Sequence, residues 1–195
     1  MEPDIYFEEA SPKSNFNNFS SHLIDFIQTL VVFGAIFALI YLFIAQFHKV
    51  SGNSMVPTLH NEDYLITEKV SYKFGKPHRG QIIVLKNPKN ESEDFIKRII
   101  ALPEDTIKVE ANFVFVNGEK LTEDYLPPGT PTHSGAFLTE GKTIKVNSEE
   151  FFVFGDNRDH SSDSRAWGPI TKDEIVGKAF FLYWPIERVG LLNKR

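Results

Sequence analysis

The run Thr106–Gly118, TIKVEANFVFVNG, is dominated by β-branched and aromatic residues and ends on Asn117-Gly118. Such side chains suit a pleated, half-buried strand, and Asn-Gly accepts the two positive φ angles of a tight hairpin. The stretch therefore predicts a β-hairpin. Outward from it, similar runs recur: YLITEKV (64–70), QIIVLKN (81–87), DFIKRIIAL (94–102), KTIKVN (142–147), EFFVFGD (150–156) and IVGKAFFLYWP (175–185). All are short and bounded by turn signals, the pattern of a β-sandwich or barrel-like sheet. Only one further helix is expected, a short one near Thr171–Ile175. LPPGTPTHSG (126–135) reads as an exposed loop.

N-terminal to these runs the pattern is different. FIQTLVVFGAIFALIYLFIAQF (26–47) contains no charged residue. As a helix it would span about 33 Å, close to the ~30 Å hydrocarbon thickness of a bilayer. It is too long for the apolar core of a removable signal, and an acidic segment precedes it instead of a basic one. The expected fold class is mostly β: a polar acidic tail (1–25), a transmembrane helix (26–47) and a single β-sandwich or barrel-like domain (48–195) with few short helices. Lys13 and Lys49 flank the span evenly, so charge does not set its orientation.

Net charge is −5, and residues 1–25 carry most of it, with five acids (Glu2, Asp4, Glu8, Glu9, Asp25) against Lys13. That balance argues against a dedicated nucleic-acid binder. The absence of cysteine excludes disulfides, thiolate nucleophiles and thiolate metal sites. With no His-Glu-x-x-His either, no metal is expected. No cofactor is implied, and nothing sets an oligomeric state.

Three polar clusters carry groups capable of chemistry: Ser51–Leu59 (SGNSMVPTL), Phe95–Pro103 (FIKRIIALP) and Gly155–Gly168 (GDNRDHSSDSRAWG). The first could be an ordinary turn, and the third a solvated loop whose ion pairs are worth little. The second is less easily dismissed. In a strand, Phe95, Lys97 and Ile99 face one way and Ile96, Arg98 and Ile100 the other. Each cation then shares a face with apolar groups and requires solvent or a buried partner.

Together these clusters resemble the signature boxes of type I signal peptidases, membrane-bound serine proteases that remove signal peptides from exported proteins. The matching elements are the Ser-Met-x-Pro-Thr-Leu stretch just after the apolar run, Lys-Arg-x-x-x-Leu-Pro-x-Asp, and Gly-Asp-Asn-Arg-x-x-Ser-x-Asp-Ser-Arg-x-x-Gly, in that order. Arg79–Val84 adds a further family-like element, and the likeness extends from about Leu30 to Trp184. It implies that Ser54 is the nucleophile and Lys97 the general base. Ser161 would orient the Lys97 amine. Arg98 would pair with Asp156, and Asp163 with Arg165, as supports. Val50, Met55, Leu59 and Ile96 would build shallow pockets for small substrate side chains. The implied partners are preproteins and the lipid bilayer, with the tail cytoplasmic and the catalytic domain outside the cell membrane.

The Ser-Lys pair is a known alternative to Ser-His-Asp, but the lysine must be neutral to accept a proton. At its ordinary pKa of about 10.4, only about one molecule in 10³ is neutral near pH 7.5. Burial can lower that value, provided the nearby Asp156 and Asp163 are occupied by Arg98 and Arg165, which keep their protons. There are departures from the family pattern. Gly52 stands where some members carry a hydroxyl donor for the oxyanion. Glu104 replaces a usual glycine, and a glutamate is expected to resist a positive φ. Gln81 replaces a common aspartate.

Other readings compete. A His-dependent triad would need His60 or His160, yet no Gly-x-Ser-x-Gly elbow surrounds Ser54. Self-cleaving repressors also use Ser-Lys catalysis on a β-rich domain, but they are soluble and bind DNA. A membrane-tethered β domain that binds extended peptides without cutting them would explain the anchor and strands, but not Lys97. The aromatic runs 151–154 and 180–184 read as core strands in preference to bilayer contacts.

Overall fold

The structure is a computed structural model and describes residues 16–192. The chain divides after Tyr41 into two units. The first is built on helix α1, Phe16–Phe43, whose segment Ser21–Tyr41 has a mean hydropathy of 2.3. Apolar side chains are exposed on all sides of it, among them Leu23, Ile24, Val32, Phe33 and Ile36. A helix that is apolar all round needs a lipid or protein environment, and this one is long enough to cross a bilayer.

The observed helix differs from the expected span at both ends. It begins within the polar segment, taking in residues 16–25, and the remainder of that tail lies outside the described residues. It stops at Phe43, and Ala45–Lys49 forms strand β1, paired antiparallel with β2 (Tyr64–Glu68) in the register Phe47↔Ile66 and His48↔Leu65.

The second unit is antiparallel β throughout. The remaining strands are β3 (Ile82–Asn87), β4 (Asn90–Ala101), β5 (Thr106–Glu110), β6 (Phe113–Val116), β7 (Glu119–Lys120), β8 (Ile144–Lys145), β9 (Glu150–Phe154), β10 (Ile170–Thr171), β11 (Ile175–Trp184) and β12 (Gly190–Leu191). Among the described residues, the larger sheet runs β1-β2-β11-β3-β4-β9-β10, with β12 on β11, and the smaller runs β7-β6-β5-β8. Asn117 and Gly118 turn β6 into β7 at φ 55° and 82°, as expected for Asn-Gly.

The uninterrupted apolar run of β3 has a physical cause, because both faces of the sheet are covered. Ile82 and Val84 join one buried cluster with Val50, Met55, Leu59 and Leu65, while Ile83 and Leu85 join another with Ile99, Phe151 and Val153. A third cluster packs the smaller sheet, through Ile107, Val109, Val114 and Val116, onto Ile100, Phe152 and Phe154. Phe151–Phe154 is therefore core. The other aromatic run is split: Leu182 is buried, but Trp184 is 50% exposed.

Strand β4 carries Lys97 and Arg98. Its residues from Asn90 to Arg98 pair with β3, whereas β9 joins its other edge only from Arg98 onward. Asp94–Lys97 consequently keeps one edge free of ladder partners.

Short helical turns are more numerous than expected. The 3-10 turn Lys172–Glu174 fills the anticipated place and carries a Thr171/Glu174 capping box. Ser71–Phe74, Ser164–Trp167 and Ile186–Arg188 form further single turns. Glu104 does take a positive φ, 68°, contrary to expectation. Its backbone N–H donates to Val146 O and its carboxylate pairs with Lys145, so tertiary contacts override the local preference.

Candidate active site

The loop between β1 and β2 carries Ser54. Reciprocal bonds close its base, Val50 N–H to Asp63 O and Glu62 N–H to Val50 O. Met55, Thr58 and Leu59 turn inward, and Met55 and Leu59 join Val50 in the core, so burial fixes the loop from beneath. Gly52 adopts φ 94° and donates its N–H to Asn61 Oδ1 at 2.9 Å.

Lys97 projects from the open-edged segment of β4 and its Nζ lies 2.8 Å from Ser54 Oγ and 3.1 Å from Ile96 O. Lys97 is only 3% exposed, and its Nζ sits 5.1 Å from the centre of the Phe95 ring. Burial pushes its pKa down from the ordinary lysine value to about 8; Asp163 and Asp156 oppose the shift and Arg165 assists it. Near pH 7 about one amine in ten is then neutral.

Neither nearby carboxylate salt-bridges the lysine, because arginines hold both. Arg98 donates to Asp156 through Nε (2.9 Å) and Nη2 (2.7 Å). Arg165 donates to Asp163 through Nε and Nη2, both at 2.8 Å. Such two-point forks are the strong form of the contact. Thr58 adds a hydroxyl bond to Asp156 at 2.5 Å, and the Tyr125 ring covers the Arg98 guanidinium at 3.9 Å. Neither Thr58 nor Tyr125 was assigned a role from sequence.

The third cluster folds over the Ser54 loop. A Cβ on Gly155 would lie 2.2 Å from Ser161 Oγ and 2.4 Å from Ser54 O, so only glycine fits. Ser161 Oγ is buried here without a hydrogen-bond partner and makes no bond to Lys97.

Between the two lips, residues 49–55 and 94–97, runs a groove of about 280 Å³. Val50, Met55 and Ile96 line it, together with Ser54 and Lys97. Leu59 is fully buried beneath and does not reach the groove.

Residues 23–184 match the family model described as signal peptidase, peptidase S26. The chain belongs to this signal peptidase family. It is 41% identical over 159 residues to a probable signal peptidase I-2 of Synechocystis, covering 77% of this chain and 68% of that one. It is 36% identical to a signal peptidase I of Leptolyngbya laminosa, over 94% and 91% of the two chains, and 41% identical to one of Bacillus caldolyticus, over 77% and 86%. A solved signal peptidase I of Enterococcus faecalis overlays 53% of this chain and 96% of its own at 28% identity, with a TM-score of 0.45.

Proposed function

We propose that this signal peptidase family member is a membrane-anchored serine endopeptidase that removes signal peptides from exported preproteins with a Ser54-Lys97 dyad. The observation that carries the reading is the 2.8 Å approach of a buried lysine of lowered pKa to the Ser54 hydroxyl.

In this mechanism Ser54 Oγ attacks the scissile carbonyl as its proton passes to the neutral Lys97 amine. The resulting ammonium returns that proton to the leaving amine, and the neutral amine then activates water against the acyl-enzyme. The Ser54 backbone N–H serves the oxyanion. Ser161 Oγ, buried without a hydrogen-bond partner, would have to turn toward the amine to orient it, and the two arginine-carboxylate pairs keep acids from holding Lys97 in its charged form.

The substrate lies as an extended strand in the groove, against the free edge of β4. Val50, Met55 and Ile96 admit small side chains at the first and third positions before the cut. Helix α1 crosses the membrane with the tail cytoplasmic and the β domain on the outer side.

Cleavage of a preprotein by wild type, Ser54→Ala and Lys97→Met tests this. Both variants should remain folded and lose turnover by at least about 10³-fold. Retained cleavage by either overturns the dyad. Capture of the preprotein by wild type without any product would leave a peptide-binding domain instead.

A further inference from the structure

Arg158 lies in the third cluster but takes part in neither arginine-carboxylate pair beside Lys97. Its side chain is fully buried, and its guanidinium donates to both carboxylate oxygens of Glu123 and to Thr132 Oγ1. Its Nε donates to Gly155 O at 3.1 Å. Its own carbonyl accepts from Arg165 Nη2 at 2.7 Å. Glu123 and Thr132 belong to the segment leading away from β7, part of which reads from sequence as an exposed loop. In the structure Thr132 is 1% exposed, and its N–H donates to Asn112 O in the β5-β6 turn. A buried cation thus ties the smaller sheet to the third cluster.

The next residue back, Asn157, grips the nucleophile loop. Its N–H donates to Ser54 O at 3.0 Å and its Nδ2 to Asn53 O at 3.0 Å. Asn157 itself is only half-buried.

We infer that Arg158 is a positioning residue: braced by Glu123 and Thr132, it sets Asn157, which holds the backbone on both sides of the Ser54 amide in the reactive arrangement. The brace does not touch substrate. It acts on the chemical step, because a displacement of about 1 Å at a nucleophile costs on the order of 10²-fold in rate, while the groove that receives the peptide is lined by other residues. This inference rests on Ser54 being the nucleophile.

The test is a double-mutant cycle on the full-length chain in detergent, with preprotein cleavage and thermal melting read together. Arg158→Lys keeps the charge beside Glu123 but loses the fork. It should lower kcat by about 10²-fold and leave KM within about twofold of wild type. Asn157→Ala should do the same. The double variant should be no slower than the slower single, since both act through one contact. Losses that multiply, a loss carried by KM, or full kcat in Arg158→Lys would overturn the inference.

Should Arg158→Lys fail to fold, Thr132→Val removes one acceptor while preserving the ion pair. It should cost about fivefold in kcat, and that cost should vanish in the Asn157→Ala background. Wild-type kcat in Thr132→Val overturns the brace. A wild-type chain that cleaves nothing instead overturns the Ser54-Lys97 reading.

Discussion

The two faces of β4 treat neighbouring cations in opposite ways. Lys97 and Arg98 are equally hidden, at 3% and 2% exposure. On one face Arg98 meets Asp156 in a two-point fork, with Thr58 and Tyr125 closing around it. On the other, Lys97 meets an aromatic ring, a backbone carbonyl and a serine hydroxyl, and forms no salt bridge. Burial alone therefore does not decide what becomes of a charge. The carboxylate neutralises a buried guanidinium that keeps its proton in any case, whereas burial without such a contact drives the Lys97 amine toward its neutral form. The strand's alternation separates the two outcomes by a single residue.

The most severe way to break this contrast is Lys97→Arg. A guanidinium cannot release its proton, so preprotein cleavage should fall by at least about 10³-fold, as in Lys97→Met. Substantial turnover in the arginine variant would mean that the two faces do not differ as described.

Next comes Asp156→Asn, which leaves Arg98 buried without its counter-ion. Removing one partner of a buried pair costs about 3–5 kcal/mol, and denaturant unfolding should show a loss of that order.

A smaller effect, of opposite sign, belongs to Lys97. Its folded pKa, about 8, lies below the ordinary lysine value of 10.5. Between those pH values the unfolded chain binds more protons than the folded one, so stability rises with pH across that window. Below pH 8 the full penalty applies, on the order of 3 kcal/mol for a shift of that size. Lys97→Met should therefore unfold at higher denaturant than wild type at pH 7, with the gap closing toward pH 10.5. Cleavage by wild type should rise with pH through about 8.

The mildest probe is Arg98→Lys. The charge remains but the fork does not, and the loss should be about 1–2 kcal/mol. A loss as large as that of Asp156→Asn would show that geometry, more than charge, supports this face.

How far the sequence could be read depends on how local each determinant is. Strands such as QIIVLKN and EFFVFGD were legible because β-branched and aromatic side chains declare themselves within a few residues. The opposed directions of Lys97 and Arg98 followed from alternation alone. Strand β1 was missed because its first residues, Ala45–Phe47, continue the apolar run of the helix without a charge or a proline to mark the break. The positive φ of Glu104 depends on Lys145 and Val146, which lie some forty residues away. Likewise, nothing near Arg158 announces Glu123, 35 residues earlier. Both are long-range pairings that a single chain does not display. The three polar clusters were visible because they are dense in function-capable groups, but their meeting around Ser54 is a property of the folded sheet.

The free edge of β4 has a consequence for what can be cut. An unpaired strand edge ordinarily invites other sheets to dock on it. Here it faces the 49–55 lip across a groove of about 280 Å³. Under the proposed function, an extended segment without strand neighbours of its own would add to this edge, so selection would begin with backbone pairing before any side chain is inspected.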